Sequence, residues 1–295
     1  MNIPFRKMHG LGNDFVIIDT RGFEAPFIDS LSADYIQYLG DRRRGIGFDQ
    51  LILIEPAKGD GADAYMRILN NDGSEAEACG NATRCVAHIL MQELDAQNCT
   101  IQTIAGFLHC EYVDSEGGRT PFIRAGLAKG GSAPFIKVNM GQPRLNWDEI
   151  PLRDDVDTLG LGFNIGPLML PCAVNIGNPH AVFFVDDVDG IDLEHWGPQV
   201  EHHEMFPKKT NVEIAHIINK KTIRMRVWER GVGITQACGS AACATMVAAV
   251  RRDLVERKAI VELDGGPLSF YWDEASNDLF MTGPVSFVFE GQTKL

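Results

Sequence analysis

At 295 residues the chain is long enough for about two domains, and its 45% hydrophobic and 23% charged residues are ordinary for a globular protein. A net charge of −13 argues against a nucleic-acid partner, which calls for a basic face, although a few cations in a cleft can still receive an acidic substrate. The start, MNIPFRKMHGLGNDF, lacks a signal peptide's apolar stretch, and no apolar run approaches the roughly 20 residues that span a bilayer.

In chain order, FVIID (15–19), LILI (51–54), YMRIL (65–69), TIQTI (100–104), FIKVN (135–139), AVFFVD (181–186), NVEIAHII (211–218) and TIRMRVWE (222–229) read as strands, being short, β-branched or aromatic, and bounded by turn residues. Further strands are expected near 259–263, 268–272 and 285–289. Helices are fewer. One is expected at 32–39 behind Ser32 as N-cap, and another at 80–94, where Val86, Ile89, Leu90 and Leu94 fall at helical spacing. A third is expected at 192–200, and a fourth, alanine-rich and therefore closely packed, at 239–254. GLAKGGSA (126–133) is the loosest stretch. Seven cysteines without a secreted framework's spacing point to free thiols in a reducing, cytoplasmic compartment, with no membrane partner.

The chain carries one motif twice. MRILNNDGSEAEACGNATRC (66–85) and MRVWERGVGITQACGSAACA (225–244) match without gaps, so that Met66, Arg67, Ala78, Cys79, Gly80 and Ala82 fall on Met225, Arg226, Ala237, Cys238, Gly239 and Ala241, each 159 residues on. The match extends outward. Gly12-Asn13 before one strand corresponds to Gly177-Asn178 before another, and Ile101 and Gly106 fall on Ile260 and Gly265 at the same offset. An internal duplication follows, with equivalent thiols in two pseudo-symmetric lobes, each of many strands around a helix that starts at the cysteine. A thiol at a helix N-terminus gains thiolate character from the macrodipole, and the unpaired N–H groups beside it can hold a carboxylate. Two such thiols on one substrate suit removal of a proton α to a carboxylate and its return on the opposite face.

Other readings of these cysteines are structural. Cys85, Cys99, Cys110, Cys172 and Cys243 read as core residues. Cys79 to Cys85, with five residues between, lacks the usual zinc spacing, and no C-x-x-C redox motif is present. The G-x-G triplets beginning at Gly10, Gly45, Gly160 and Gly231 lack the third glycine of a dinucleotide loop and read as turns. His180, by residue type alone, fits a turn residue or a site residue equally.

MHGLGNDFVIID (8–19), GIGFDQLILI (45–54), NNDGSEAEACGNATRC (70–85), IGNPHAV (176–182) and ERGVGITQACGSAACA (229–244) resemble, in order, the signature segments of the diaminopimelate epimerases. The two cysteine motifs alone also suit proline and hydroxyproline racemases; GLGNDF, GNPH and the ERG before the second cysteine favour the former. The resemblance implies a cofactor-independent epimerase, with no metal, that interconverts LL- and meso-2,6-diaminopimelate for lysine and peptidoglycan precursors. It implies that Cys79 is the base toward the LL isomer and Cys238 the acid on the opposite face, with His180 and Glu229 tuning their ionisation. Gly80, Asn81, Gly239 and Ser240 would donate to the carboxylate at the reacting centre, and Arg230 would clamp the distal carboxylate. Asn13, Gln50, Asn70, Asn178 and Asn211 would hold the distal amino-acid end, with Glu229 also touching substrate. Asn71 stands where the family pattern leads one to expect a small residue.

The fold implied is α+β: two pseudo-symmetric lobes, each an antiparallel barrel-like sheet around a central helix, with the site in the cleft and closure on substrate. Its final strand returns to the first lobe, which assigns 1–143 plus 285–295 to the lobe of Cys79 and 144–284 to the lobe of Cys238. A homodimer is also implied. Competing readings are a related racemase of a cyclic amino acid such as proline, and a non-catalytic thiol redox or ligand-binding module on the same lobes.

Overall fold

The computed structural model describes residues 2–23, 27–113 and 133–294; of the loose stretch at 126–133, all but the last residue falls outside them. Two compact units divide the chain: residues 2–23, 27–113, 133–138 and 283–294 make the first, and 139–282 the second.

The first unit opens with β1 (Asn2–Gly10) and β2 (Asn13–Asp19), an antiparallel pair joined by a turn in which Leu11 and Gly12 take φ of 56° and 86°. A short 3-10 helix (Phe27–Ser30) precedes α1 (Ala33–Gly40), whose N-cap Ser32 accepts from the Tyr35 amide. Ile36 and Leu39 of α1 join Val16, Ile18, Leu51 and Leu53 in a buried cluster. β3 (Gln50–Glu55), β4 (Ala64–Asn70) and the two-residue β5 (Glu75–Ala76) lead into α2 (Gly80–Leu94), and β6 (Asn98–Thr103), β7 (Gly106–Val113) and β8 (Phe135–Asn139) follow. β2 and β3 run parallel with Phe15 opposite Gln50, β3 and β4 antiparallel with Gln50 opposite Asn70, and β4 and β6 parallel. α2 packs on β1, β2, β6 and β7.

The second unit repeats this plan. After a small ribbon of β9 (Asn164–Ile165) and β10 (Leu168–Met169) come β11 (Cys172–Asn175), β12 (Pro179–Phe184), α3 (Leu193–Glu201), β13 (Asn211–Asn219), β14 (Thr222–Glu229) and β15 (Gly233–Ile234). Then follow α4 (Gly239–Arg251), β16 (Lys258–Leu263), β17 (Gly266–Trp272) and β18 (Leu279–Pro284). β12 and β13 are parallel with His180 opposite Asn211, β13 and β14 antiparallel, and β14 and β16 parallel, matching the first unit pair for pair. The fold is α+β, and each sheet is mostly antiparallel with two parallel pairings. β19 (Ser286–Lys294) pairs antiparallel with β1 in the first unit. Gly239 to Ala249 of α4 are all buried, against β11 to β14, β16 and β17. Small side chains let strands approach this helix from all sides.

Some expectations needed correction. Leu94, assigned to the apolar face of α2, is 50% exposed at its end, beside a left-handed C-cap at Asp95 (φ 49°). β1, β7, β11 and β18 carry too few β-branched residues to stand out: β1 contains Pro4, Arg6 and Lys7, and β18 ends in the turn-like Thr-Gly-Pro. Among the described residues no helix is long and apolar enough to cross a membrane.

Candidate active site

Cys79 and Cys238 stand at the N-cap of α2 and α4, each in an extended conformation (φ −149°, ψ 102° and φ −127°, ψ 117°). Their carbonyls open the helical ladders, accepting from Thr83 N at 2.9 Å and Ala242 N at 3.1 Å. Sulfur is a weak acceptor, and neither thiol makes a capping hydrogen bond. Gly80-Asn81 and Gly239-Ser240 therefore begin helices whose first amides are suited to a carboxylate.

In the first unit, Asp49 Oδ2 takes Asn13 Nδ2 at 2.9 Å, which turns Asn13 Oδ1 toward the thiol. That oxygen accepts from Asn81 Nδ2 at 3.2 Å and from Cys79 Sγ at 3.8 Å. Arg42 bonds both Asp14 and Asp49 at 2.7 Å, and Lys7 meets Asp14 at 2.6 Å. Burial pushes the Asp14 carboxyl up, but hydrogen bonds from Arg42 and Lys7 outweigh it and hold it at about 2. Behind the thiol, the fully buried Arg84 donates to Asn81 Oδ1 at 2.7 Å, Gly80 O at 3.4 Å and Pro284 O at 3.3 Å. Gly10 makes room for it: a Cβ there would lie 2.9 Å from Arg84 Nη2 and 3.2 Å from Asn81 Cβ. Gln50 and Asn70 form a separate pair, Nε2 to Oδ1 at 3.0 Å, and Gln50 Oε1 is buried without a protein partner.

In the second unit, His180 and Glu213 are both fully buried, with Nδ1 and Oε1 2.7 Å apart, while His180 Nε2 meets Asn178 Oδ1 at 2.7 Å. Burial pushes the Glu213 carboxyl up, opposed by His180 and reinforced by the charge of Glu229. Cys238 Sγ lies 3.5 Å from Ser240 Oγ. Its pKa is raised well above the ordinary thiol value, first by burial and then by the charge and acceptor oxygen of Glu229; the Ser240 hydroxyl and Ala241 amide only partly oppose this. Thr235 Oγ1 donates to Glu229 Oε1. Asn211 Oδ1 accepts from Arg230 N at 2.9 Å, its Nδ2 donates to Pro179 O at 2.9 Å, and Arg230 Nη1 reaches Lys208 O at 3.2 Å.

The structure thus joins Asn13, Asn81 and Cys79, pairs Gln50 with Asn70, links Asn178 with His180 and Asn211 with Arg230, and sets Glu229 and Ser240 on Cys238. Sequence reasoning missed Asp49, Arg84, Glu201 and Glu213. Glu201 is buried and holds the turn of Arg230 by accepting from Trp228 Nε1 at 2.7 Å and Gly231 N at 3.1 Å. Asp49, four residues after Gly45 in a turn, and Glu201, at a helix end, gave no signal before their partners were placed. Asn71, where a small residue was expected, lies against Gly40, whose Cβ would fall 2.0 Å from Asn71 Oδ1. No disulfide joins any of the seven cysteines, and Cys85, Cys99, Cys110, Cys172 and Cys243 are buried. Burial pushes Cys85 up to about 12, so it has little thiolate character. Among the described residues no cluster of three or more His, Cys, Asp or Glu offers a metal site.

The family model described as diaminopimelate epimerase matches residues 5–122 and 172–288. A relative from Rhodospirillum centenum named diaminopimelate epimerase is 46% identical over 288 residues, covering 98% of this chain and 91% of its own length. Another so named, from Acidiphilium cryptum, is 47% identical over 289 residues, covering 98% and 95%. The crystal structure of a hydroxyproline epimerase from Agrobacterium vitis superposes with a TM-score of 0.67 at 14% identity, covering 99% of this chain and 92% of that one. At that identity the likeness shows the fold alone.

Proposed function

The chain belongs to the diaminopimelate epimerase family, a family of isomerases, and on that premise we propose that it interconverts LL- and meso-2,6-diaminopimelate with two unlike thiols and no cofactor. The observation that carries the reading is the pair of equivalent N-cap cysteines in unlike electrostatic settings. Cys238 is buried beside Glu229 and held as a thiol, whereas the helix of Cys79 carries the buried cation of Arg84. Arg84 has Cys243 as its counterpart at the offset of 159, and Glu229 has Asn70.

From the LL isomer, the Cys79 thiolate takes the α-proton. The electron pair left behind spreads into the carboxylate, which the first-turn amides at Gly80, Asn81, Gly239 and Ser240 receive as its charge grows. The Cys238 thiol gives its proton to the opposite face, ending as thiolate while Cys79 ends as thiol. From the meso isomer the roles exchange. Glu229 keeps Cys238 protonated until it is needed, and His180 orients Asn178. Arg230 offers a planar fork to the distal carboxylate, and Asn13, Gln50, Asn70, Asn178 and Asn211 hold the distal end. Seven cysteines with no disulfide among them suit a cytoplasmic enzyme supplying lysine and peptidoglycan precursors. We also propose a homodimer, for which Phe287, Val288 and Phe289 on β19, 55%, 49% and 44% exposed, form an apolar strip that favours cover.

Incubation in D₂O tests the reaction. LL-Diaminopimelate should give the meso isomer carrying one deuterium at the inverted carbon, and L-proline should give nothing. Deuterated D-proline, or no exchange with either, would reject the assignment.

A further inference from the structure

We infer that Glu213 is a positioning residue, holding His180 so that Asn178 presents its amide N–H groups, and not its carbonyl, to a substrate carboxylate. The inference rests on the proposed epimerase reading, in which Asn178 binds substrate.

The two units supply an internal control. In the first, β2 and β3 are paired with Phe15 opposite Gln50 and Ile17 opposite Ile52; in the second, β12 and β13 are paired with His180 opposite Asn211 and Val182 opposite Glu213. The next pairing confirms the correspondence, since Ile52 stands opposite Ile68 and Glu213 opposite Val227, and Ile68 and Val227 are 159 residues apart. Phe15 and Ile52 therefore occupy in one unit the places of His180 and Glu213 in the other, and all four are fully buried. An apolar pair holds this register without trouble. An acid–imidazole pair at the same place must give up water on both groups, which an apolar pair avoids. The sheet does not need Glu213.

The site does. The Asn178 oxygen can only accept, so His180 Nε2 carries the proton; the neutral Glu213 carboxyl, favoured by its burial, donates its O–H to Nδ1 and keeps the proton on Nε2, each contact being 2.7 Å. Asn178 is half-buried, and no described residue accepts from its Nδ2. Its counterpart Asn13 is turned the other way: Asp49 takes Nδ2 at 2.9 Å and Oδ1 faces Cys79. A donor behind Asn178 and an acceptor behind Asn13 thus make two equivalent asparagines present opposite groups. Without Glu213 the ring is free to carry its proton on Nδ1, and Asn178 to offer an oxygen to a carboxylate.

Steady-state kinetics and thermal melts of wild type, Glu213→Met, Glu213→Gln and the double variant His180→Phe/Glu213→Ile test this. The double variant copies the first unit and safeguards against misfolding of the single one. Glu213→Met should raise KM for LL-diaminopimelate by about tenfold, with kcat changed less and the melting temperature not lowered. The double variant should raise KM likewise without lowering the melting temperature; it is read for KM and fold alone, because His180 is also expected to tune the thiols. Glu213→Gln, whose amide can still bond Nδ1 and keep Nε2 a donor, should stay within about threefold of wild type. The inference is overturned if Glu213→Met keeps the wild-type KM, or if both single variants lose kcat and melting temperature together. An inactive wild type would instead reject the epimerase reading itself.

Discussion

A buried thiol beside a carboxylate keeps its proton, and at Cys238 that is the property a proton donor requires. Burial and Glu229 both act against the thiolate, so activity from the LL isomer should fall only as pH rises past the ordinary thiol range. Glu229→Gln removes the charge and lowers the Cys238 pKa. The alkaline limb of the pH–rate profile should then shift to lower pH, whatever the rate at the optimum; a limb that stays put or rises would show that Glu229 does not act on this proton. Cys110 offers the contrast. It lies opposite Cys99 in β6 and β7, 2% exposed, and its pKa is raised by a hydrogen bond to Cys99 and by burial. Cys110→Ala should leave kcat/KM within about twofold of wild type, because it is a buried strand residue set opposite Cys99 and Val138.

Among the elements, α2 and α4 show what an amino-acid pattern can reveal. Their starts were legible at Gly80 and Gly239 because both close a repeated Ala-Cys-Gly, and α4 was legible as buried because its alanines leave room on every side. Glu213 was hidden for the opposite reason. In NVEIAHII a glutamate between apolar residues reads as the solvent face of a strand, and only cross-strand pairing shows it buried on His180. Aligning β3 with β13 would have set it on Ile52 and exposed the anomaly. Arg84 was missed similarly, since an arginine on a helix is ordinarily solvated. The packing of α4 carries its own prediction. Ala244 is fully buried, so Ala244→Leu should overpack the unit and lower stability by about 1–3 kcal/mol, read from the denaturant midpoint. No change there would mean that strands surround α4 less closely than described.

At the scale of the whole molecule, one strand plan is used twice, with its side chains divided into matched and unmatched sets. The cysteines, their glycines and the asparagines at 13 and 178 match; Arg84 against Cys243, Asn70 against Glu229, and Phe15 against His180 do not. On the proposed reading, the matched set serves the carbon that loses and regains its proton, and the unmatched set makes one thiol a base and the other an acid. The exposed strip on β19 gives the proposed assembly its test: Phe287→Glu/Phe289→Glu should sediment as a monomer where wild type sediments as a dimer, and an unchanged dimer would place the interface elsewhere.

The division of labour between the thiols can be read from α-hydrogen exchange in D₂O by Cys79→Ala and Cys238→Ala. Neither should epimerise. Cys238→Ala keeps the base for the LL isomer, so it should deuterate LL-diaminopimelate with retention, while Cys79→Ala should leave that isomer unlabelled. Equal labelling of the LL isomer by both variants, or epimerisation by either at the wild-type rate, would contradict a base at Cys79 and an acid at Cys238.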